Sequence, residues 1–144
     1  MKYTQGFLNR IFVARLDDGE SIKDSIENIC IREGIRYAVV HLVGGMNDGT
    51  REGKLVGTGL VVPKNKKPNF LFHASIGNKE QSYIGQSDSD VVAKTIVEAT
   101  VMELGGVDAM RLFDEKLGCD ALTIVGPGSD GKQDTQMKGA FSMN

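Results

Sequence analysis

The sequence is poor in the residues that usually announce chemistry. It holds two cysteines, Cys30 and Cys119, far apart and at no metal-ligand spacing, so both thiols are expected to be reduced and to hold no zinc. No apolar run reaches the roughly 18 residues of a membrane-spanning helix. The opening Met1-Lys2-Tyr3-Thr4-Gln5-Gly6 lacks the apolar core of a secretory signal. A cytoplasmic location with no membrane partner is the expectation. An excess of either charge is missing too: 17 Lys+Arg against 19 Asp+Glu leave −2, with a pI near 5.7. That balance excludes a surface basic all over, the footprint of a protein that grips nucleic acid unaided. The chain has no Gly-x-Ser-x-Gly, Walker or dinucleotide fingerprint, and so no recognisable catalytic motif. The glycine pairs at Gly44-Gly45 and Gly57-Thr58-Gly59 lack the third glycine and following helix of a phosphate cradle.

What is present describes an ordinary globular domain. At 144 residues, with 40% hydrophobic and 25% charged residues, the chain is long enough to build a core without staples. Glycine stands out at 18 residues, about twice the usual share, and clusters at the ends of apolar runs, as short strands and tight turns require. Arg10–Leu16 reads as a first strand. Ser21-Ile22-Lys23-Asp24 then resembles a capping box, and Ile22, Ile26, Ile29 and Cys30 form one apolar stripe closed by Gly34; this predicts a helix over Ile22–Glu33. Arg36–Val43 is apolar on both faces, a central strand ended by Gly44-Gly45. Thr50–Val62 reads as one or two short strands broken by Gly53, Gly57 and Gly59, and Pro63–Pro68 as a polar loop. Phe70–Ile76 is a strand with Phe70, Phe72, Ala74 and Ile76 on one face, turning at Gly77–Glu80 into Gln81–Ile84. Thr95–Leu104 has helical spacing, but its β-branched residues favour a strand. Ala109–Phe113 and Ala121–Val125 read as a hairpin whose loop uses Asp114 and Gly118. The sum is an α+β fold: a compact mixed, mostly antiparallel sheet of roughly seven strands with one or two helices, in a single domain over 1–126. A polar, glycine-rich tail follows over 127–144.

Few side chains are candidates for a site. His41 lies in the doubly apolar strand and reads as a packed or interface histidine, while His73 lies on the less apolar face of its strand. Glu98 interrupts an apolar run, and such a carboxylate must be paired or solvated. Arg111 is its expected partner, because an antiparallel turn near Gly105 brings the two close in level. Lys64, Lys66 and Lys67 form the only basic cluster, a solvated run or a contact for phosphates or an acidic partner.

The order of these pieces resembles the plant and prokaryote conserved (PPC) domain, found beside AT-hooks in plant nuclear proteins. The resemblance runs from about Arg10 to Val125. It rests on Arg10-Ile-Phe-Val-Ala-Arg-Leu-Asp-Asp-Gly-Glu20, Gly34-Ile-Arg-Tyr-Ala-Val-Val-His-Leu-Val-Gly-Gly45, His73-Ala-Ser-Ile-Gly77, Thr95-Ile-Val-Glu98, Glu103-Leu-Gly-Gly106, Arg111-Leu-Phe-Asp114 and Leu117-Gly118. It implies a compact α+β domain that assembles as a homotrimer. It also implies a cleft to which His73, Gln86, Glu98 and Arg111 are candidate contributors. Many members carry His-x-His in the strand of His73 and a third histidine that resembles a metal ligand. Here those positions hold Leu71 and Gln86, one imidazole remains, and zinc is not expected. The stretch between Gly45 and Phe70 is shorter than in plant members, and neither their Gly-Arg-Phe-Glu-type segment nor an Arg-Gly-Arg-Pro hook is present.

Three functions follow as expectations. The first is a homotrimeric, DNA-associated or regulatory module acting mainly through assembly, its DNA contact weak, salt-sensitive and carried by Lys64, Lys66 and Lys67. The second is a protein–protein scaffold without DNA contact. The third is a small-ligand or metal-binding, even enzymatic, protein using a cleft near His73 and Glu98.

Overall fold

The computed structural model describes residues 1–77, the backbone of 82–86, and residues 91–125. Its elements run β1 (Phe7–Asp17), α1 (Ile22–Glu33), β2 (Ala38–Asn47), β3 (Glu52–Lys64), β4 (Lys67–Gly77), β5 (Ser82–Gln86), β6 (Val92–Gly105), β7 (Ala109–Asp114) and β8 (Cys119–Ile124). Six strands form one sheet in the order β1-β6-β2-β3-β4-β5, and β7-β8 form a separate hairpin. Every pairing is antiparallel. The α+β expectation holds, with eight strands and one helix among the described residues.

The helix forms where its signals lie. Ser21 accepts the Asp24 N–H at 3.3 Å, and Gly34 takes the left-handed conformation at φ 67°. The N–H of Ile35 then returns to the Cys30 carbonyl at 2.8 Å, closing the last turn. Ile22, Ile26 and Cys30 are fully buried against the inner face of the sheet, with Val40, Leu42, Leu55, Phe70, Phe72 and Val97. Each such side chain contributes about 1.5–3 kcal/mol by leaving water. Polar groups complete the contact. Glu27 accepts the Phe70 N–H at 2.7 Å and Lys23 donates to the Phe70 carbonyl at 2.9 Å. These bonds satisfy the outer edge of β4 where β5, which pairs only from His73 onward, does not reach.

Three expectations about glycine and proline are corrected. Gly44-Gly45 does not end β2, which runs on to Asn47 through a bulge against β6. A Cβ on Gly44 would lie 2.3 Å from the Ile96 carbonyl oxygen, so these glycines permit close backbone approach and the strand continues. Thr50–Val62 is likewise not broken: β3 is one strand of 13 residues, in which Gly59 leaves the space that the Phe72 side chain fills. Pro63–Pro68 is not a loop. Pro63 pairs with Pro68 and Lys64 with Lys67 around a two-residue turn. Asn65 and Lys66 hold φ 51° and 64° there, the paired positive angles that match hairpin twist.

The other strands agree more closely. Thr95–Leu104 lies within β6, and Phe70, Phe72, Ala74 and Ile76 are buried on one face of β4 as expected. In the β7–β8 loop Asp114 accepts N–H bonds from Lys116 and Leu117 at 2.9 and 3.1 Å, and Gly118 sits at φ 69°. The turn expected at Gly77–Glu80 falls mostly, and the tail from 127 wholly, outside the described residues.

Candidate functional site

One helix covers one face of the sheet, and alternation along each strand decides what the other face carries. The hairpin β7–β8 covers one end of it: Tyr37, Val62 and Ala109 are buried together, with Leu60, Leu104 and Ile124 packed around them. No other element among the described residues covers that face. Ile11 is 54%, Val13 81%, Val43 56% and Val56 64% exposed, an apolar area of a kind that monomers rarely leave in water. β2 is therefore not buried on both faces within one chain.

Register places the candidate residues on this face in rows. One row runs Val13, Thr100, His41, Thr58, His73 and Gln86 across all six strands. The next runs Arg15, Glu98, Val43, Val56 and Ser75. His73 and Gln86 are thus direct cross-strand partners, with Leu71 two residues before His73 on the same face. His41 is exposed on that face and not packed within the chain. Glu98 lies three strands from the column of His73, about 14 Å at usual strand spacing, so a single chain does not bring the two together. At the end of the face away from the hairpin, the β2–β6 bulge opens a concavity of about 1060 Å³, floored by Val43, Val56 and Ile96 and rimmed by Lys54 and Lys94. Thr95 there holds φ 70°, a strained angle for a β-branched residue, with its N–H on the Asp18 carboxylate at 2.6 Å.

The expected Glu98–Arg111 ion pair does not form. β6 pairs with β1 and β2, not β7, so the assumed turn at Gly105 is no hairpin. Glu98 is exposed. Arg111 has a buried Nε without a hydrogen-bond partner among the described residues. The carboxylate that does go inside is Glu103, on the helix side, where it is 7% exposed. It accepts from Arg10 Nε and Nη2 at 2.8 and 2.9 Å and from Asn9 at 2.8 Å, while Arg10 also donates to the Glu33 carbonyl at the end of α1. The Arg10 hydrogen bond holds the Glu103 carboxyl below its ordinary range, outweighing the opposing effect of burial. One signal was available in sequence: Glu103 shares parity with Val97, Ala99 and Val101, whereas Glu98 shares the opposite parity with Ile96, Thr100 and Met102.

The basic cluster sits at the tip of the β3–β4 hairpin. Lys64 pairs with Asp120 of β8, which leaves Lys66 and Lys67 exposed at the turn. Metal-ligating chemistry is sparse. Leu71 cannot coordinate, an amide at Gln86 is a poor ligand, and no group of three His, Cys, Asp or Glu able to hold a metal exists among the described residues. No helix among the described residues is long and apolar enough to cross a membrane.

A small α+β domain with one open sheet face is the class these features define. The model of the Plants and Prokaryotes Conserved (PCC) domain matches residues 3–105, and the chain belongs to that family. This is the family whose motif order the sequence resembles. Solved structures share the fold. A plant- and prokaryote-conserved protein from Pyrococcus horikoshii superposes with a TM-score of 0.77 at 22% identity, covering 88% of this chain and 100% of its own. A metal-containing protein from Archaeoglobus fulgidus gives 0.73 at 23% identity, covering 85% and 99%. A protein from Ralstonia eutropha JMP134 named "Putative DNA-binding protein" gives 0.67 at 17% identity, covering 78% and 90%. None of the curated proteins matches this chain in sequence.

Proposed function

We propose that this chain is a homotrimeric module that acts mainly through assembly, with a weak, salt-sensitive association with DNA. The observation that carries the reading is the uncovered apolar sheet face bearing Ile11, Val13, Val43 and Val56. Burying such a face is the usual reason a sheet recruits a second layer; among the described residues only the β7–β8 hairpin supplies one, and other copies of the chain can supply the rest. The number three comes from the family resemblance. The DNA association is supported by the name of the Ralstonia relative and by a physical argument with a modest ceiling. At net charge −2, phosphate contact falls to Lys66 and Lys67 at the hairpin tip, repeated in each subunit.

Fluorescence anisotropy with a labelled duplex tests this reading. Binding should weaken steeply with salt, with a log–log slope of about −0.9 for each phosphate neutralised. Replacing Lys66 and Lys67 together by alanine should abolish it. Nanomolar binding that survives high salt would contradict the reading. A trimer that binds no DNA at low salt would favour the scaffold alternative, for which the Lys64–Asp120 pair already speaks by removing one of three cluster lysines.

A further inference from the structure

Two charged groups on the open side of the sheet have no counterpart among the described residues. Glu98 makes no hydrogen bond or ion pair among the described residues, although its row places it between Arg15 and Val43 on the apolar face. The neighbouring cation does not serve it. Arg15 engages Asp17 instead, through Nε at 3.0 Å and Nη2 at 2.9 Å. Arg111 is the reverse case. Ala109 packs beneath β7 onto Tyr37 and Val62, and Arg111 leaves the same side of the strand two residues later. Its Nε is buried without an acceptor, and its guanidinium has no ion pair among the described residues.

We propose that Glu98 of one subunit pairs with Arg111 of the next, so that each contact of the assembly is completed by one carboxylate and one guanidinium. The inference rests on the homotrimeric reading above. A cyclic assembly joins two different patches at each interface, so a residue near one patch meets a different residue near the other, and three identical pairs close the ring. Burying Glu98 among Val43 and Val56 in an interface without a partner would be costly; Arg111 is half-buried, and a neighbour meets its Nη atoms, since the Nε is enclosed within its own chain. A guanidinium offers a carboxylate two parallel hydrogen bonds, the arrangement best able to offset that desolvation. The charges are complementary, neither has an ion pair among the described residues, and both lie on the side of the sheet that α1 does not cover.

Sedimentation equilibrium over a concentration series tests the pair, with circular dichroism to verify folding. Glu98→Gln and Arg111→Gln should each move trimer dissociation to concentrations about tenfold higher or more. The double variant should be no worse than the more harmful single one, since the two changes remove one interaction. Arg15→Gln should leave the equilibrium in place. Should Arg111→Gln fail to fold, Arg111→Lys replaces it, and it should weaken assembly because a single ammonium cannot supply the fork. A wild-type trimer that Glu98→Gln leaves untouched overturns the pair and spares the trimer. Additive losses in the double variant, or a loss in Arg15→Gln equal to that in Glu98→Gln, also overturn it. A wild-type chain that is monomeric throughout overturns both.

Discussion

Glu103→Gln is the substitution whose cost the structure defines best. The carboxylate receives three hydrogen bonds, from Asn9 Nδ2 and from Nε and Nη2 of Arg10. Hydrogen bonds to a buried charge contribute about 1.5–3 kcal/mol each. That figure must be reduced here, because the Arg10 side chain is 46% exposed and water replaces much of what it loses. The amide of glutamine keeps one acceptor but turns an NH₂ toward a donor. About 2 kcal/mol is a fair sum, and with a urea slope near 2 kcal/mol/M the midpoint should fall by about 1 M at neutral pH. Protein concentration must be held fixed, because unfolding of an assembly depends on it. The pH dependence supplies a second reading. A carboxyl whose folded pKa lies below its ordinary value of 4.5 stabilises the fold above that value and loses its contribution as pH falls through the depressed one. The gap between wild type and variant should therefore close with acidification. An unchanged midpoint at neutral pH, or a gap that persists in acid, would refute the reasoning.

Other outcomes follow from single features. Cys119 is exposed, whereas burial, with help from the nearby Glu27 and Glu103 carboxylates, pushes the Cys30 thiol up to about 12; a thiol reagent at pH 8 should label one cysteine in the folded protein and two after denaturation. Thr95→Gly should stabilise the fold by about 1 kcal/mol through release of the strained φ, and so raise the denaturant midpoint; a lowered midpoint would show that the threonine side chain stabilises the bulge. Val43→Asp places a charge in the middle of the open face and should give folded monomers at concentrations where the parent is assembled. One zinc per subunit surviving dialysis against a mild chelator would overturn the expectation from Leu71 and Gln86.

Legibility differed from element to element for physical reasons. The helix was readable because its cap, stripe and Gly34 closure are local, and each leaves a mark at a fixed spacing. The buried face of β4 was readable because Phe70, Phe72, Ala74 and Ile76 alternate without interruption. Gly44, Gly45 and Gly59 were misread as breaks, since a glycine that lets two strands approach looks in sequence like one that ends a strand. The turn at Asn65-Lys66 was hidden for a related reason: neither residue demands positive φ, and the flanking prolines suggested a loop. The site was only partly legible. The resemblance named His73 and Gln86 as cleft candidates but not their pairing across β4 and β5, and the choice between Glu98 and Glu103 depended on which face α1 covers; both are tertiary facts. The Glu98–Arg111 expectation assumed β6 and β7 adjacent, whereas β6 takes β1 and β2 as neighbours and β7 crosses to the open face.

The central claim is that the open face carrying Ile11, Val13, Val43 and Val56 is an assembly surface. Light scattering on the purified wild-type chain at micromolar concentration tests it most directly. Assembly in threes gives a mass of about 47 kDa, three times the 15.6 kDa chain; a mass that stays at 15.6 kDa would contradict the account.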